Sequence, residues 1–222
     1  MLYLYHKDAS KPQLTLLGDE HRYIFKVRRH KVDDTLYLRN LEDGLLYRYL
    51  ITYIDKNSVR LELQESQTLE VKAKVPLHVG WCIIDPKNIE KVLPSLNEMG
   101  VEKITFIYCQ RSQKSFKVDF KRLEKILLNS SQQSGRSEMM NLDTAEDLES
   151  FVKANPESKM LNFSENKLDT QDHIATIVIG CEGGFHEGEV ALFKPENIIG
   201  LDTPLVLKSE SAVCAVASKL LL

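Results

Sequence analysis

A glycine-rich turn at residues 180–184, with the sequence Gly-Cys-Glu-Gly-Gly, is the clearest candidate for chemistry. It follows the apolar run Ile177-Val178-Ile179 and precedes a predicted helix. Glycine lets the backbone approach a ligand closely, and ligands of open α/β sheets bind at the carboxyl ends of strands. Neither G-x-G-x-x-G nor a Walker A loop is present, so neither a dinucleotide nor a nucleoside triphosphate is indicated. On its own, the turn fits a small-molecule site and a structural bend equally well.

Residues 201–212 form a second passage from a predicted strand through a loop into a helix. Ser209 is expected to cap that helix, and Glu210 places a negative charge at its start. Both residue types serve capping as readily as catalysis. Taken alone, capping is the favoured explanation.

Several cationic residues are spaced as if to contact nucleic acid. Arg136 follows Gly135 at the end of a predicted helix, and Arg111 follows a predicted strand. A guanidinium binds phosphate in bidentate fashion, although a solvated surface arginine is the simpler alternative for each. A basic run with two interleaved aromatic side chains could neutralise phosphates and stack on bases, or form a charged helix face; it comprises Arg22, Tyr23, Phe25, Lys26, Arg28, Arg29, His30 and Lys31.

The composition describes an ordinary soluble globular protein of one large or two small domains. The chain has 222 residues, of which 43% are hydrophobic and 27% charged. Its formal net charge of −3 argues against a broadly basic nucleic-acid coat. No membrane span and no signal peptide are expected, so the prediction is a cytoplasmic protein. The cysteines, which form no C-x-x-C pair, are expected to be buried thiols and not zinc ligands; they are Cys82, Cys109, Cys181 and Cys214.

Two patterns of predicted elements divide the chain. Residues 1–70 contain short β-type runs separated by turns, with one helix predicted at residues 18–29. Residues 71–222 alternate strands with helices, which implies a mostly parallel sheet covered by helices. One of these helices is predicted at residues 144–152 and is expected to be capped by Thr144. The predicted strands of this second part lie at residues 75–84, 104–108, 159–163, 174–179 and 198–201.

Several segments in this order resemble the bacterial 16S ribosomal RNA uracil-N3 methyltransferases (RsmE) of the SPOUT superfamily. The family's GPEGG turn is similar to residues 180–184, its ILR-x-ETA segment to residues 206–212, and its EQSGR to residues 132–136. Its ELGV is similar to residues 98–101, its ERS to residues 110–112, and its H…VLR-x-KVGD to residues 21–34. Cys181 stands in place of a usual proline and Lys208 in place of an arginine, which keeps the charge but loses the bidentate geometry.

The resemblance implies a fold and a reaction. The fold is α/β, with an N-terminal PUA-like small β-barrel that binds RNA and a C-terminal SPOUT domain that contains a deep trefoil knot. The reaction is methylation of N3 of one uridine in 16S rRNA by S-adenosylmethionine, without a metal. The expected partners are the small ribosomal subunit and a second copy of the chain in a homodimer.

The resemblance also assigns residues to roles. Arg111, Arg136 and Glu210 are the catalytic candidates, with Glu182 as another proton acceptor. RNA contacts fall to Arg22, Arg29, Lys31, Arg111, Arg136 and Lys208. The cofactor is expected to lie against Leu161, Phe163, Ile179, Gly180, Glu182, Gly183, Gly184, Leu201, Val206, Leu207 and Ser209.

Three other functions stay open at this point. A non-catalytic RNA-binding module fits the β-rich part and the basic run, and it predicts no binding of S-adenosylmethionine. A methyltransferase of the same superfamily that acts on another RNA, such as tRNA or 23S rRNA, is a second alternative, although the N-terminal barrel and the full set of motifs favour ribosomal RNA by resemblance. A nucleotide-binding oxidoreductase is disfavoured by the missing G-x-G-x-x-G.

Overall fold

The structure, a computed structural model, describes residues 2–170 and 173–222. It divides into two compact units. The first, here the barrel unit, contains Met1–Lys72 and Leu128–Met139, and the second, here the sheet unit, contains Ala73–Leu127 and Met140–Leu222.

The barrel unit is built on a mixed five-stranded sheet. Its strands are β1 (Leu4–Tyr5), β2 (Gln13–Leu17), β3 (Thr35–Arg39), β4 (Leu45–Ile54) and β5 (Ser58–Thr68), in the spatial order β1-β3-β4-β5-β2. The pair β1–β3 is parallel and the other pairs are antiparallel. Apolar residues alternate along the strands, so that Leu14 and Leu16 point inward from β2 onto a core that includes Tyr49 and Ile51.

The predicted helix at residues 18–29 is present in a shorter and less regular form. Helix α1 (Gly18–Arg22) continues directly into a π-helical turn at Tyr23–Val27. Arg29 then adopts a positive φ of 59°, a left-handed conformation that a helix cannot continue through. The basic run therefore lies on this irregular segment.

The sheet unit contains a six-stranded sheet in which every neighbouring pair is parallel. Its strands run in the order β11-β9-β10-β6-β7-β8 and are β6 (His78–Cys82), β7 (Lys103–Ile107), β8 (Asn141–Ala145), β9 (Lys159–Leu161), β10 (Thr176–Ile179) and β11 (Ile198–Ile199). The central strands are buried because they are nearly continuous apolar runs, as expected of a sheet that is covered on both faces. The carboxyl ends of all six strands meet at one edge, where ligands of such sheets bind.

Helices follow most of these strands, as the β/α alternation predicted. They are α2 (Pro86–Met99), α3 (Phe120–Ser134), α4 (Leu148–Ala154), α5 (Glu187–Val190) and α6 (Ser209–Leu221). The Asp85 carboxylate accepts a hydrogen bond from the Lys87 N–H and so caps α2, and Gly100 ends it with a φ of 101°.

Two local predictions were wrong. Thr144 lies in β8 and does not cap a helix; α4 begins later, where the Asp147 carboxylate accepts from the Ser150 N–H at 2.8 Å. Pairing with β7 draws this segment into the sheet and overrides its local helix signal. Ser209 is the first residue of α6 and makes no capping hydrogen bond, because its hydroxyl bonds to other elements described below.

The prediction of four buried thiols was wrong for one pair. Cys82 and Cys109 form a disulfide, because Cys82 ends β6, Cys109 follows the neighbouring parallel strand β7, and their Cα atoms lie 5.6 Å apart. Cys181 is a buried free thiol, and Cys214 is a partly buried one.

No helix within residues 2–170 and 173–222 is long and apolar enough to cross a membrane. In the same described part of the chain, no three His, Cys, Asp or Glu side chains are grouped to hold a metal ion.

Candidate functional site

Three loops at the carboxyl edge of the parallel sheet surround one cavity of about 520 Å³, here the three-loop cavity. The loops follow β9, β10 and β11, which are neighbours or share a neighbour in the sheet order. The volume lies in the range of small-molecule sites. Of the residues assigned to the cofactor by resemblance, all except Gly183 line it: Leu161, Phe163, Ile179, Gly180, Glu182, Gly184, Leu201, Val206, Leu207 and Ser209.

The glycine-rich turn is shaped by its own backbone. The Gly184 N–H donates to the Cys181 carbonyl at 2.9 Å, and Gly184 has a positive φ of 67°, which favours glycine. A Cβ on Gly180 would lie only 3.1 Å from the Phe185 ring. The turn therefore favours glycine at its first position, where a side chain would press on the Phe185 ring, and at its last position for conformation.

The loops after β9 and β11 cross at very short range. A Cβ on Gly200 would lie 2.8 Å from the Ser164 carbonyl oxygen, so only glycine fits there. The Gly200 N–H donates to the Asn166 carbonyl at 2.8 Å, and the Gly200 carbonyl accepts from the Leu168 N–H. The sequence predictions missed Asn162, Ser164 and Gly200 as lining residues, although a glycine directly after a short strand is a signal of such a close approach.

A buried hydrogen-bond relay fixes the glycine-rich turn to the sheet and to α6. The Trp81 Nε1–H on β6 donates to the Ser209 hydroxyl at 2.9 Å, and that hydroxyl donates to the Gly180 carbonyl. Trp81 is 0% exposed and Ser209 is 5% exposed. One hydroxyl thus satisfies the buried indole N–H and the partly buried Gly180 carbonyl, and it joins three elements around the cavity.

Large apolar side chains at the mouth of the cavity are exposed. Phe163 is 80% exposed, Leu205 70% and Val206 78%, all of them within the lining. A cluster of exposed apolar side chains around a concave site is typical of a surface that a ligand or partner covers. The lining therefore suits a ligand with an apolar ring face and polar edges that backbone groups can bind.

Arg111 lies against the glycine-rich turn although it follows a different strand, β7. Its Nη1 donates to the Gly183 carbonyl at 2.8 Å, and a Cβ on Gly183 would lie 3.2 Å from the Arg111 Cβ. Gly183 therefore does not line the cavity because it faces the arginine side chain instead.

A buried carboxylate positions the loop that carries Arg111. Glu189 on α5 is 4% exposed, and its two oxygens accept from the Gln110 N–H at 2.8 Å and the His186 N–H at 2.9 Å. The bond to His186 forms part of a capping box, in which the His186 side chain in turn accepts from the backbone at the start of α5. Sequence reasoning missed Glu189, whose signal is the capping-box spacing from His186.

The acidic catalytic candidates lie in different surroundings. Glu182 is exposed and lines the three-loop cavity, whereas Glu210 on α6 is partly buried and lies outside the lining. Cys214 lies one helical turn after Glu210 on α6. Burial raises the pKa of its thiol most, and the negative charge of Glu210 raises it further. The Glu210 carboxylate therefore lies within electrostatic reach of that thiol.

The remaining cationic candidates fall into both units. Arg22, Arg29 and Lys31 are exposed in the barrel unit, as RNA contacts require, and Lys208 is exposed and lines the cavity in the sheet unit. Arg136 is only 4% exposed and belongs to the barrel unit, where its carbonyl accepts from the Tyr3 hydroxyl at 2.8 Å.

Both parts of this chain are similar in sequence to known proteins. A family model described as RNA methyltransferase domain matches residues 71–221, and one described as RNA methyltransferase PUA domain matches residues 16–64. A Helicobacter pylori (strain ATCC 700392 / 26695) protein named ribosomal RNA small subunit methyltransferase E is 39% identical over 222 residues, an alignment that covers 98% of each chain.

Solved structures share the fold over almost the whole chain. A Legionella pneumophila methyltransferase in complex with its cofactor SAM has a TM-score of 0.81 at 23% identity, covering 98% of this chain and 95% of that one. A ribosomal RNA small subunit methyltransferase E from Neisseria gonorrhoeae, bound to S-adenosyl methionine, has a TM-score of 0.79 at 16% identity, with the same coverage. The mixed sheet of the barrel unit and the parallel sheet of the sheet unit are thus those expected from the resemblance. With the full-length match at 39% identity, the chain belongs to the RNA methyltransferase family, among the ribosomal RNA small subunit methyltransferases E.

Proposed function

We propose that this enzyme transfers the methyl group of S-adenosylmethionine to N3 of one uridine in 16S rRNA of the small ribosomal subunit. The observation that carries the proposal is the three-loop cavity, which places the glycine-rich turn and both neighbouring loops around one volume. The names of the Helicobacter pylori and Neisseria gonorrhoeae relatives support the substrate class, and the SAM-bound structures support the cofactor.

The lining residues fit S-adenosylmethionine. The exposed rings and aliphatic groups of Phe163, Val206 and Leu207 suit the faces of an adenine, and the close loop crossing at Gly200 brings backbone groups to the cavity wall. When bound there, the cofactor supplies an electrophilic methyl group. The chain's own contribution is to hold the two reactants in line, since well-oriented reactants gain much of the rate from positioning alone.

Arg111 is the first choice for stabilising the uracil anion. The N3 proton must leave before or as the nitrogen attacks, so negative charge develops on the base. The Arg111 guanidinium uses one N–H to bind Gly183 and carries further N–H groups on the same planar fork. A fixed cation beside the glycine-rich turn lowers the energy of that charge.

The proton acceptor is proposed to be Glu210 or Glu182, as the resemblance suggests. Glu182 has the more accessible position, because it is exposed and lines the cavity. Arg136 is kept as a catalytic and RNA-binding candidate on the resemblance alone. The Arg136→Ala variant tests this role, since methylation at the wild-type rate would remove Arg136 from the site.

The proposed division of labour follows the predicted domains. Residues 1–70 dock RNA through Arg22, Arg29 and Lys31, and residues 71–222 carry the cofactor and the chemistry. Lys208 adds an RNA contact at the cavity. We infer a trefoil knot in the second domain, a homodimer and a cytoplasmic location from the family resemblance.

The decisive experiment supplies labelled S-adenosylmethionine with small subunits from cells that lack this methyltransferase, followed by mapping of the modified base. We expect one labelled uridine, with the methyl group on N3. Label in tRNA or 23S rRNA would move the proposal to another substrate. The absence of S-adenosylmethionine binding in calorimetry would favour a non-catalytic RNA-binding module.

A variant pair tests the role of Arg111. We expect Arg111→Ala to lower kcat by roughly 100-fold or more, the usual cost of losing one charge-stabilising donor, with little change in cofactor affinity. Gln113→Ala, an exposed neighbour in the same loop, is the matched control and should keep the wild-type rate.

A further inference from the structure

A second and larger cavity, of about 850 Å³, lies beyond the carboxyl ends of β7 and β8 in the sheet unit. Its lining contains two lysines, Lys114 and Lys117, and four carboxylates, which are Glu146, Asp147, Glu149 and Glu189. We call it the lysine cavity. None of the residues predicted from the sequence to act in the site lines it.

The lysines of the lysine cavity are accessible, and further exposed lysines follow them along the chain. Lys114 and Lys117 are exposed, and Lys121 and Lys125 follow as exposed residues one turn apart on α3. The loop itself is anchored, because the Tyr108 hydroxyl donates to the Phe116 carbonyl at 3.4 Å. Residues 114–125 carry five cationic side chains against two carboxylates, Asp119 and Glu124, so this segment is a local excess of positive charge in a chain with a formal net charge of −3.

Some of the carboxylates in the lining already bind other groups of the protein. Asp147 caps α4 through the Ser150 N–H, and Glu149 pairs with Lys153 at 2.8 Å. Glu146 is exposed between β8 and that cap. A cavity with lysines and carboxylates suits a ligand that carries both an anionic group and hydrogen-bond donors. A ribonucleotide has this combination in its phosphate, its 2′-hydroxyl and its base N–H groups.

The lysine cavity adjoins the segment that reaches the proposed active site. Gln110 lines the cavity, while the next residue, Arg111, donates to Gly183 of the glycine-rich turn. Glu189, which also lines it, holds the Gln110 N–H. A nucleotide bound here would therefore lie beside the loop that presents Arg111.

We propose that the lysine cavity binds a nucleotide that flanks the target uridine in the substrate RNA. Its phosphate lies against Lys114 and Lys117, its ribose or base donors face Glu146, and the next phosphates along the strand contact Lys121 and Lys125. This inference rests on the proposed function and adds to it a second RNA-binding surface, in the sheet unit.

The test uses a double variant in the full-length chain, Lys114→Gln with Lys117→Gln. Its matched control is Lys87→Gln with Lys194→Gln, two exposed lysines of the same unit outside this cavity. The probe is a fluorescein-labelled single-stranded RNA of about 20 nucleotides, measured by anisotropy over a range of KCl concentrations. Each phosphate contact on a single strand contributes about 0.7 to the slope of log Kd against log salt.

We expect the cavity variant to bind the RNA about tenfold more weakly and to lower that slope by about 1.4. The KM for small subunits should rise with kcat and S-adenosylmethionine affinity unchanged. Glu146→Gln should reduce the preference for RNA over DNA of the same sequence by a few fold. Binding of the cavity variant within twofold of the control variant would overturn the proposal.

Two further outcomes separate this inference from the proposed function. If the cavity variant binds the RNA more weakly but the wild-type protein labels no rRNA, the RNA site is supported while the proposed reaction is refuted. Weaker binding to small subunits with unchanged binding to the RNA probe would overturn the RNA assignment and point to a ribosomal protein as the ligand.

Discussion

The relay through Ser209 allows one prediction to be worked through from the structure. Ser209→Ala removes the hydroxyl that accepts from the Trp81 indole N–H and donates to the Gly180 carbonyl. The serine side chain is small, so the change leaves little empty volume. Its main effect is to leave two polar groups without their partner.

The expected cost follows from burial. The Trp81 side chain is 0% exposed, so its indole N–H loses its acceptor in a buried position. An unsatisfied buried donor costs about 1–3 kcal/mol, and the lost hydrogen bond to the Gly180 carbonyl adds about 1 kcal/mol. We therefore expect the free energy of unfolding to fall by about 2–4 kcal/mol. Because Gly180 begins the glycine-rich turn, the affinity for S-adenosylmethionine should fall as well.

Urea denaturation measures the first effect and titration calorimetry with S-adenosylmethionine the second. Ser211→Ala is the matched control, since Ser211 is exposed two residues further along α6 and should change stability by less than about 0.5 kcal/mol. In a double-mutant cycle, Trp81→Phe should cost at least about 1 kcal/mol less in the Ser209→Ala background, because the indole donor then has no partner to lose. Equal stability of the two serine variants would refute the reasoning.

Three more predictions follow from single buried contacts. Glu189→Gln should destabilise the fold by about 1–3 kcal/mol and slow methylation, because an amide cannot accept from two backbone N–H groups as the carboxylate does; urea denaturation and the rRNA assay measure the two effects. Gly200→Ala should raise the Kd for S-adenosylmethionine about tenfold or more in calorimetry, because its Cβ would lie 2.8 Å from the Ser164 carbonyl and push the two loops apart. Burial and the nearby Lys103 lower the pKa of His78 from 6.5 to about 4, so the unfolded chain takes up the proton first and stability is lost as pH falls from 6.5 to 4. The shift sets a ceiling of roughly 3 kcal/mol, and solvent screening of the partly exposed ring reduces the expected loss to about 1–2 kcal/mol, measured by urea denaturation.

Each of these variants has a control. Glu187→Gln changes an exposed carboxylate on α5 and should leave stability and rate unchanged. Gly188→Ala adds a Cβ whose nearest neighbour is 3.5 Å away, so cofactor affinity should not move. His78→Gln should flatten the acid dependence between pH 6.5 and 4, and an unchanged slope would contradict the assignment to His78.

The local sequence was sufficient for much of the parallel sheet. Apolar runs such as residues 177–179, each followed by a turn and a helix, predict buried parallel strands because both faces of such strands must be apolar. The local sequence did not predict β8, because Thr144 lies among polar residues that also suit the start of a helix. That strand exists because β7 offers an unpaired edge, and no feature of residues 141–145 alone encodes the edge.

The sequence predicted which residues surround the cavity but not which partners they contact. Glycines after strand ends and the motif resemblance predicted that three loops would share a ligand. The role of Ser209 was not predictable, because a serine at the start of a helix can either cap that helix or bind a distant group such as Trp81. The disulfide between Cys82 and Cys109 was missed for a similar reason, since a pairing across 27 residues depends on strand order.

By itself, the sequence determined the strand-to-turn-to-helix segments, the glycines that those turns need and the family to which they belong. These features are local, because backbone conformation and apolar periodicity are properties of a few consecutive residues. The tertiary structure decided that Arg111 lies against Gly183, 72 residues away, and that Glu189 holds the loop that carries Arg111. Those contacts follow from the order in which β10, β6 and β7 assemble, and that order minimises the free energy of the whole sheet, to which every strand contributes.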